Sequence, residues 1–255
     1  GQPQLLLAGH IDTVQPKRGW ATNQFNATTI ASKIFGLGTV DMKAGVAAIL
    51  SSIASFDNIR GLTLLFYCDE EYSFQGMKKF ISKTKKSQIG KLAIIPEPSQ
   101  LKIWNAHRGV IEISFAIKGK TGHAANPASG KNAITGMNNL LNNIAKWLVR
   151  FKHPVLGNST LNVAFIRGGL YLEEKNNETL LGNHGNNIAD FAETVIEIRP
   201  AVKILNAERV RAWLKKEIAK SGYQLFNIKI VNDYGPLFTD QKYLPFVEKI
   251  VRKSV

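Results

Sequence analysis

Cysteine is almost absent: Cys68 stands alone among 255 residues. No internal disulfide can form, and no thiolate pair exists to hold a metal. A reducing cytoplasm is the expected compartment. Acidic residues are scarce as well, with 19 Asp plus Glu against 33 Lys plus Arg and a net charge of +14, which favours anionic partners or substrates without choosing among them. Long apolar runs are missing. The stretch LLLA at 5–8 is far too short to span a membrane and has no basic leader, so neither a membrane anchor nor a signal peptide is expected. Nine Pro and 21 Gly exclude a collagen-like or low-complexity polymer. What is present is 44% hydrophobic residues, enough for the core of one large or two ordinary domains. The first residue is Gly rather than Met and lies almost inside a strand-like run, so the chain is expected to continue upstream.

Two textures divide the chain. Up to about Ala106, the strand-like runs LLLA (5–8), LTLLFYC (62–68) and LAIIP (92–96) alternate with helical patterns. Val46, Ile49, Leu50 and Ile53 form an apolar stripe between the first two, and Met77, Phe80 and Ile81 a weaker one after the second. This predicts a mostly parallel sheet with flanking helices. From Arg108 the pattern changes: Ile111, Ile113, Phe115 and Ile117 alternate with Glu112, Ser114, Ala116 and Lys118, as in a sheet with one wet face. A helix with Ile134, Met137, Leu140, Leu141, Ile144 and Leu148 follows, then strands near 160–166 and 188–198. A helix with Val210, Trp213, Leu214 and Ile218 and a strand over 225–231 complete the pattern. The order β-α-β-β-α-β predicts an inserted α+β ferredoxin-like domain. The polar stretch 173–187 reads as a hairpin loop. A last amphipathic helix (Leu244, Val247, Ile250, Val251) is expected to return to the first domain. The domain assignment is therefore 1–106 with 235–255, and 107–234.

Acidic and imidazole residues follow the strand-like runs of the first half: His10 and Asp12, Asp41, Glu70 and Glu71, and Glu97. Carboxyl ends of parallel strands converge on one rim, where ligands bind. One His with several carboxylates suits zinc, cobalt or manganese. A bridging carboxylate would make a two-metal site, with ions roughly 3.5 to 4 Å apart. Each residue alone has an ordinary explanation: a hydrogen-bonded surface His, Asp41 as a helix N-cap, Glu70 and Glu71 as an exposed acidic turn. Their gathering at one rim of so acid-poor a chain argues for a site.

The motifs His10-Ile11-Asp12, GLGTVDMKAG (36–45), DEEYSFQGM (69–77), IIPEPS (94–99) and GKTGHAANPASGKNAI (119–134) resemble, in order and spacing, the zinc-dependent aminoacylase and deacylase family. The resemblance covers nearly the whole chain. It implies that His10 and Glu97 bind one zinc, Asp41 bridges to a second, and Glu71 binds the second; cobalt or manganese are alternatives. Asp12 would orient His10. Glu70 would be the general base, and His123 would stabilise the oxyanion from the neighbouring subunit. Asn186 and Arg199 would hold substrate, although Arg199 also reads as a surface strand charge.

The second domain would be a lid and the surface of a homodimer. Hydrolysis of an N-acyl amino acid follows, most like acetylornithine deacetylase, with succinyl-diaminopimelate desuccinylase and dipeptidases as alternatives. The family supplies a further His after the lid, whereas here none lies after Tyr234; the remaining candidates are His107, His153 and His184. The chain is therefore expected to continue beyond Val255, or its second metal site is incomplete. Ala189 stands where the family usually has Pro.

Two readings compete. One is a metal-binding relative without activity. The other is a polyanion-binding module built on Lys78, Lys79, Lys83, Lys85, Lys86 and Lys91. That segment lacks the aromatic interleaving of a single-strand groove, and GLGTVD lacks the third glycine of a dinucleotide fingerprint, so nucleic acid is not the expected partner.

Overall fold

A computed structural model describes residues 4–176, 178–245 and 247–249. The chain divides into two compact units, Gly1–Ile103 and Trp104–Val255.

In the first unit, strand β1 (Leu5–His10) lies between β2 (Leu62–Tyr67) and β3 (Leu92–Ile94), parallel to both. Helices α1 (Ala44–Ala54) and α2 (Gln75–Lys83) connect them. Leu6, Ala8, Met42 and Ile49 are the buried apolar residues described in this unit. The predicted α1 stripe is narrower than its sequence pattern: Ile49 is buried and Val46 and Ile53 are half-buried, but Leu50 is exposed. A hairpin of Thr28–Ile30 and Lys33–Phe35 precedes α1.

Two glycines fix how α1 is approached. Gly38 has φ +76°, a left-handed backbone that side chains rarely adopt. A Cβ on Gly45 would lie 2.2 Å from the Pro96 carbonyl oxygen, so the first turn of α1 rests directly on the backbone preceding Glu97.

The second unit carries β4 (Val110–Lys118), α3 (Ala133–Leu148), β5 (Thr160–Lys175), β6 (Glu178–Gly182), β7 (Phe191–Arg199), α4 (Ala207–Lys220) and β8 (Gln224–Tyr234). The sheet order is β6-β5-β7-β4-β8, antiparallel throughout. Without β6, this is the strand order of a ferredoxin-like plait. Ile111, Ile113, Phe115 and Ile117 are fully buried and pack with Met137, Leu140 and Ile144 of α3 and Val210, Leu214 and Ile218 of α4. Ile134, placed in the α3 stripe by its spacing, is 43% exposed. Asn132 and Asn206 cap α3 and α4, accepting from Thr135 N and Arg209 N at 3.1 and 2.9 Å. Ala116, on the face expected to be wet, is fully buried. On that face the Lys118 ammonium sits 3.8 Å from the Tyr171 ring centre and 4.1 Å from that of Phe226.

The stretch read as a polar loop is largely strand, because β5 runs on to Lys175 and pairs with β6, leaving 183–187 as the loop. Leu237 and Phe238 pair with His107 and Ala106, which groups them with the second unit rather than the first, to which the sequence reading assigned 235–255. Of the expected last helix, residues 244–245 and 247–249 are helical; Ile250 and Val251 lie outside the described residues. No described helix is long and apolar enough to cross a membrane.

Candidate metal centre

The parallel strands deliver His10, the Glu70-Glu71 pair and Glu97 to one rim, since His10 ends β1 and the others follow β2 and β3. Asp41 arrives separately. Its backbone is extended (φ −114°, ψ 105°) and the Asp41–Met42 peptide is cis. The position before α1 is Lys43, with no side-chain cap, so Asp41 is not the N-cap of that helix. Its carboxylate turns to His10 instead, Oδ1 lying 3.0 Å from Nε2.

His10 is 1% exposed, so its ring must be held on every polar side. Its backbone N–H meets the Met42 sulfur at 3.3 Å, and Nδ1 lies 3.1 Å from the Asp12 backbone carbonyl. A carbonyl can only accept, so Nδ1 carries a proton, and Nε2 is the ring nitrogen available to a metal. Here the orienting group is the Asp12 backbone rather than its carboxylate alone. Asp12 Oδ1 is 3.5 Å from Nδ1, within ion-pair range, yet it is buried and makes no hydrogen bond. Oδ2 accepts from the Glu71 backbone N–H at 3.2 Å and so ties the acidic turn to β1.

One ligand atom each from His10, Asp41 and Glu97 fall within 4.8 Å of one another, and His10 Nε2 is 4.0 Å from Glu97 Oε1. Glu71 is not part of this group. Neither are His107, His153 and His184. The ring of His153 is a structural element: its Nδ1 accepts from the Val155 and Leu156 backbone N–H groups at 3.1 and 3.4 Å, and it packs on Phe238.

The electrostatics are those of a site short of positive charge. Burial, followed by the charge of Asp41, pushes the Glu97 carboxyl up to about 7. Glu70 and Glu71 are also raised, by burial first and then by neighbouring carboxylates; both are half-buried, not an exposed acidic turn. Burial pulls the His10 imidazole down, but the Asp41 hydrogen bond and the charges of Glu97, Glu70 and Asp12 outweigh it, so His10 is raised. Burial raises Asp12, and hydrogen bonds from the Glu71 and Glu70 backbone outweigh that, leaving it lowered. Protons are thus held where a divalent cation would be favoured, and the hard oxygen and imidazole donors fit zinc, cobalt or manganese. Tyr67, beside His10 in the β1–β2 register, is a residue the sequence reading passed over. Burial and then Glu70, Glu97 and Asp12 push its phenol up, so it remains a neutral donor. Its place at the carboxyl end of β2 was the available signal.

In the second unit, His123 bridges to Asn187, and Ala124 N donates to Asn186 O at 2.9 Å, so the two predicted substrate loops form one piece. His123 is exposed, and its Nδ1 accepts from Ala125 N at 3.2 Å. The neutral ring therefore carries its proton on Nε2. Asn186 is exposed. Arg199 stands at the end of β7, 48% exposed, with Nε donating to Glu197 at 2.8 Å.

Residues 6–254 match the model of Peptidase family M20/M25/M40. The chain is 37% identical over 236 residues to the acetylornithine deacetylase of Buchnera aphidicola subsp. Acyrthosiphon pisum (strain Tuc7), covering 85% of this chain and 57% of that protein. It is 31% identical over 234 residues to that of Buchnera aphidicola subsp. Schizaphis graminum, with the same coverage. The chain thus spans a little over half the length of these curated relatives. Among solved structures, the M20 family metallo-carboxypeptidase Sso-CP2 from Sulfolobus solfataricus shares the fold with a TM-score of 0.69 at 16% identity, covering 98% of this chain and 69% of that one. Aminopeptidase PepT from Bacillus cereus does so with 0.66 at 20%, covering 98% and 65%. With the family match running over nearly its whole length, the chain belongs to Peptidase family M20/M25/M40.

Proposed function

We propose that the protein is a cytoplasmic, metal-dependent amidohydrolase that cleaves the amide of an N-acyl amino acid, with N-acetylornithine as its first candidate substrate. The observation carrying this reading is the His10, Asp41 and Glu97 group, whose ligand atoms lie within 4.8 Å of one another in a ring of carboxylates holding excess protons. These three residues would hold one zinc, and Asp41 with Glu71 would contribute to a second; cobalt or manganese suit the same donors. A divalent ion bound there supplies Lewis acidity, polarising a carbonyl and making a water acidic near neutral pH.

The chain's own residues do the rest. Glu70, half-buried and raised by burial, takes a proton from the attacking water and delivers it to the amide nitrogen as the C–N bond breaks. Water plus amide thus become a carboxylate and a protonated amine. Asp12 keeps the His10 proton on Nδ1 through its backbone carbonyl. His123 presents Nε2–H to the developing oxyanion of the neighbouring subunit's site, Arg199 offers its guanidinium to a substrate carboxylate, and Asn186, in the loop paired with that of His123 and at the opposite end of β7 from Arg199, makes a separate substrate contact.

The second unit is proposed as the lid and as the homodimer surface. One edge of β5 over 160–169 is unpaired among the described residues, and Val163, Phe165 and Ile166 are exposed along it. Two such edges pair by symmetry. The single free, exposed Cys68 fits a reducing compartment.

The test is metal analysis of the full-length protein together with hydrolysis of N-acetylornithine, N-succinyl-diaminopimelate and a dipeptide. Metal-dependent release of ornithine as the fastest reaction is expected. Stoichiometric metal binding with no hydrolysis of any of the three would overturn the reading in favour of a non-catalytic relative.

A further inference from the structure

The loop that carries His123 is closed at its base by two backbone hydrogen bonds between Lys120 and Lys131, at 3.0 and 2.7 Å. On one side it is tied to the 186–189 segment: Ala124 N–H donates to Asn186 O at 2.9 Å, and Ile188 N–H to Gly122 O at 2.8 Å. Toward α4 its base is anchored by the Lys131 side chain. Helix α4 ends in a turn where Tyr223 N–H donates to Ile218 O at 3.2 Å and Gly222 N–H to Ala219 O at 2.9 Å, with Gly222 left-handed at φ +69°. That turn does not use the Ser221 carbonyl. Lys131 Nζ donates to it at 2.6 Å, across 90 positions of chain, in a charge-assisted bond at the helix end that favours a cation. A Cβ on Gly222 would stand 2.6 Å from the same ammonium, so only glycine leaves it this seat. The Tyr223 ring centre lies 4.5 Å from Nζ, and the Tyr223 hydroxyl donates to Asn132 O at 3.0 Å. The turn after α4 thus grips two consecutive residues at the end of the His123 loop.

We propose that Lys131 is a positioning residue of the hydrolase: its ammonium, seated on the turn after α4, fixes the base of the His123 loop and so fixes where the His123 ring is presented. The inference rests on the amidohydrolase reading above, with His123 as the oxyanion donor. His123 is exposed, and its one hydrogen bond is Nδ1 accepting from Ala125 N–H within its own loop. The place of the ring therefore follows the place of the loop. An oxyanion donor works only within hydrogen-bond reach of the charge that develops in the transition state, and a shift of about 1 Å is enough to lose much of its effect. Lys131 has no carboxylate partner among the described residues. Its charge is directed to a backbone carbonyl and an aromatic ring, contacts that set backbone geometry rather than neutralise an acid.

Lys131→Met removes the ammonium and keeps an unbranched stem. Lys120→Met is the control, since it removes the same charge from the facing residue, whose side chain is exposed. The experiment measures kcat, KM and bound metal of the full-length protein with N-acetylornithine for wild type, both variants, His123→Ala and the Lys131→Met/His123→Ala double variant, and amide hydrogen exchange for wild type and the two lysine variants. Lys131→Met should lower kcat by about tenfold or more while KM and metal content stay near wild type. In the His123→Ala background it should have no further effect, because no donor remains to be misplaced. Exchange of the Ala124 and Ile188 N–H groups should quicken by about tenfold while that of β4 stays unchanged, and Lys120→Met should match wild type throughout. An unchanged kcat in Lys131→Met would overturn the proposal, as would an equal loss in the His123→Ala background or an equal loss in Lys120→Met. Absence of hydrolysis in the wild type would overturn the hydrolase reading; quickened exchange in Lys131→Met would then still support the anchoring of the loop, and unchanged exchange would overturn that too.

Discussion

His10 Nε2 and Asp41 Oδ1 lie 3.0 Å apart although 31 positions separate them in the chain. The contact joins the end of the central strand to an extended residue just ahead of the first helix.

If this pair is half of a metal centre, Asp41→Ala should remove most bound metal from the full-length protein while leaving the fold intact, because the Asp41 side chain is 53% exposed. Elemental analysis after dialysis measures this. Full retention of metal by the variant would exclude Asp41 as a ligand.

Glu70→Gln removes a proton carrier and keeps the shape of the side chain. Metal content should stay unchanged while turnover of an N-acyl amino acid falls by about a hundredfold or more. Turnover within a few fold of wild type would take Glu70 out of the mechanism.

The crowded carboxylates set a pH dependence for the metal-free chain. Glu97 has a folded-state pKa of about 7, above its unfolded value of about 4.3. A raised carboxyl contributes stability that is full below the unfolded pKa and is lost as pH rises through about 7. Glu70, Glu71 and His10 are raised and act in the same direction; Asp12 is lowered and opposes them. The metal-free protein should therefore melt at a lower temperature at pH 8 than at pH 5.5. If these groups hold zinc, added zinc should raise the melting temperature more at pH 8, where they have lost their protons. Thermal scans with and without zinc across this range check both statements, and a flat profile would contradict them.

The edge of β5 carries the dimer prediction. Phe165→Glu places a charge on an exposed position, 44% accessible, so folding should survive while a dimer formed along this edge dissociates. Sedimentation of wild type and variant reads the result. A variant as dimeric as wild type would move the interface elsewhere.

Core packing of the second unit gives a stability prediction independent of function. Ile113 is fully buried between sheet and helices, and Ile113→Ala should cost about 2 to 5 kcal/mol. Denaturant titration measures it.

The strands LLLA, LTLLFYC and LAIIP and both helices of the plait were legible from the sequence, because apolar period is a local property set by which face is buried. The rule that parallel strands carry their loops to one rim placed His10, Glu70, Glu71 and Glu97 near each other without coordinates. The same sequence left Ile134 and Leu50 misassigned to buried stripes, since the width of a buried face depends on what packs against it. It left Asp41 open between cap and ligand, and only the extended backbone before α1 excludes the cap. That Asp12 uses its carbonyl to fix the His10 proton, that Tyr67 stands beside His10, and that Trp20, the hairpin and Asp41 line one groove are tertiary facts. Each depends on distances between segments far apart in the chain, which pattern and spacing do not encode.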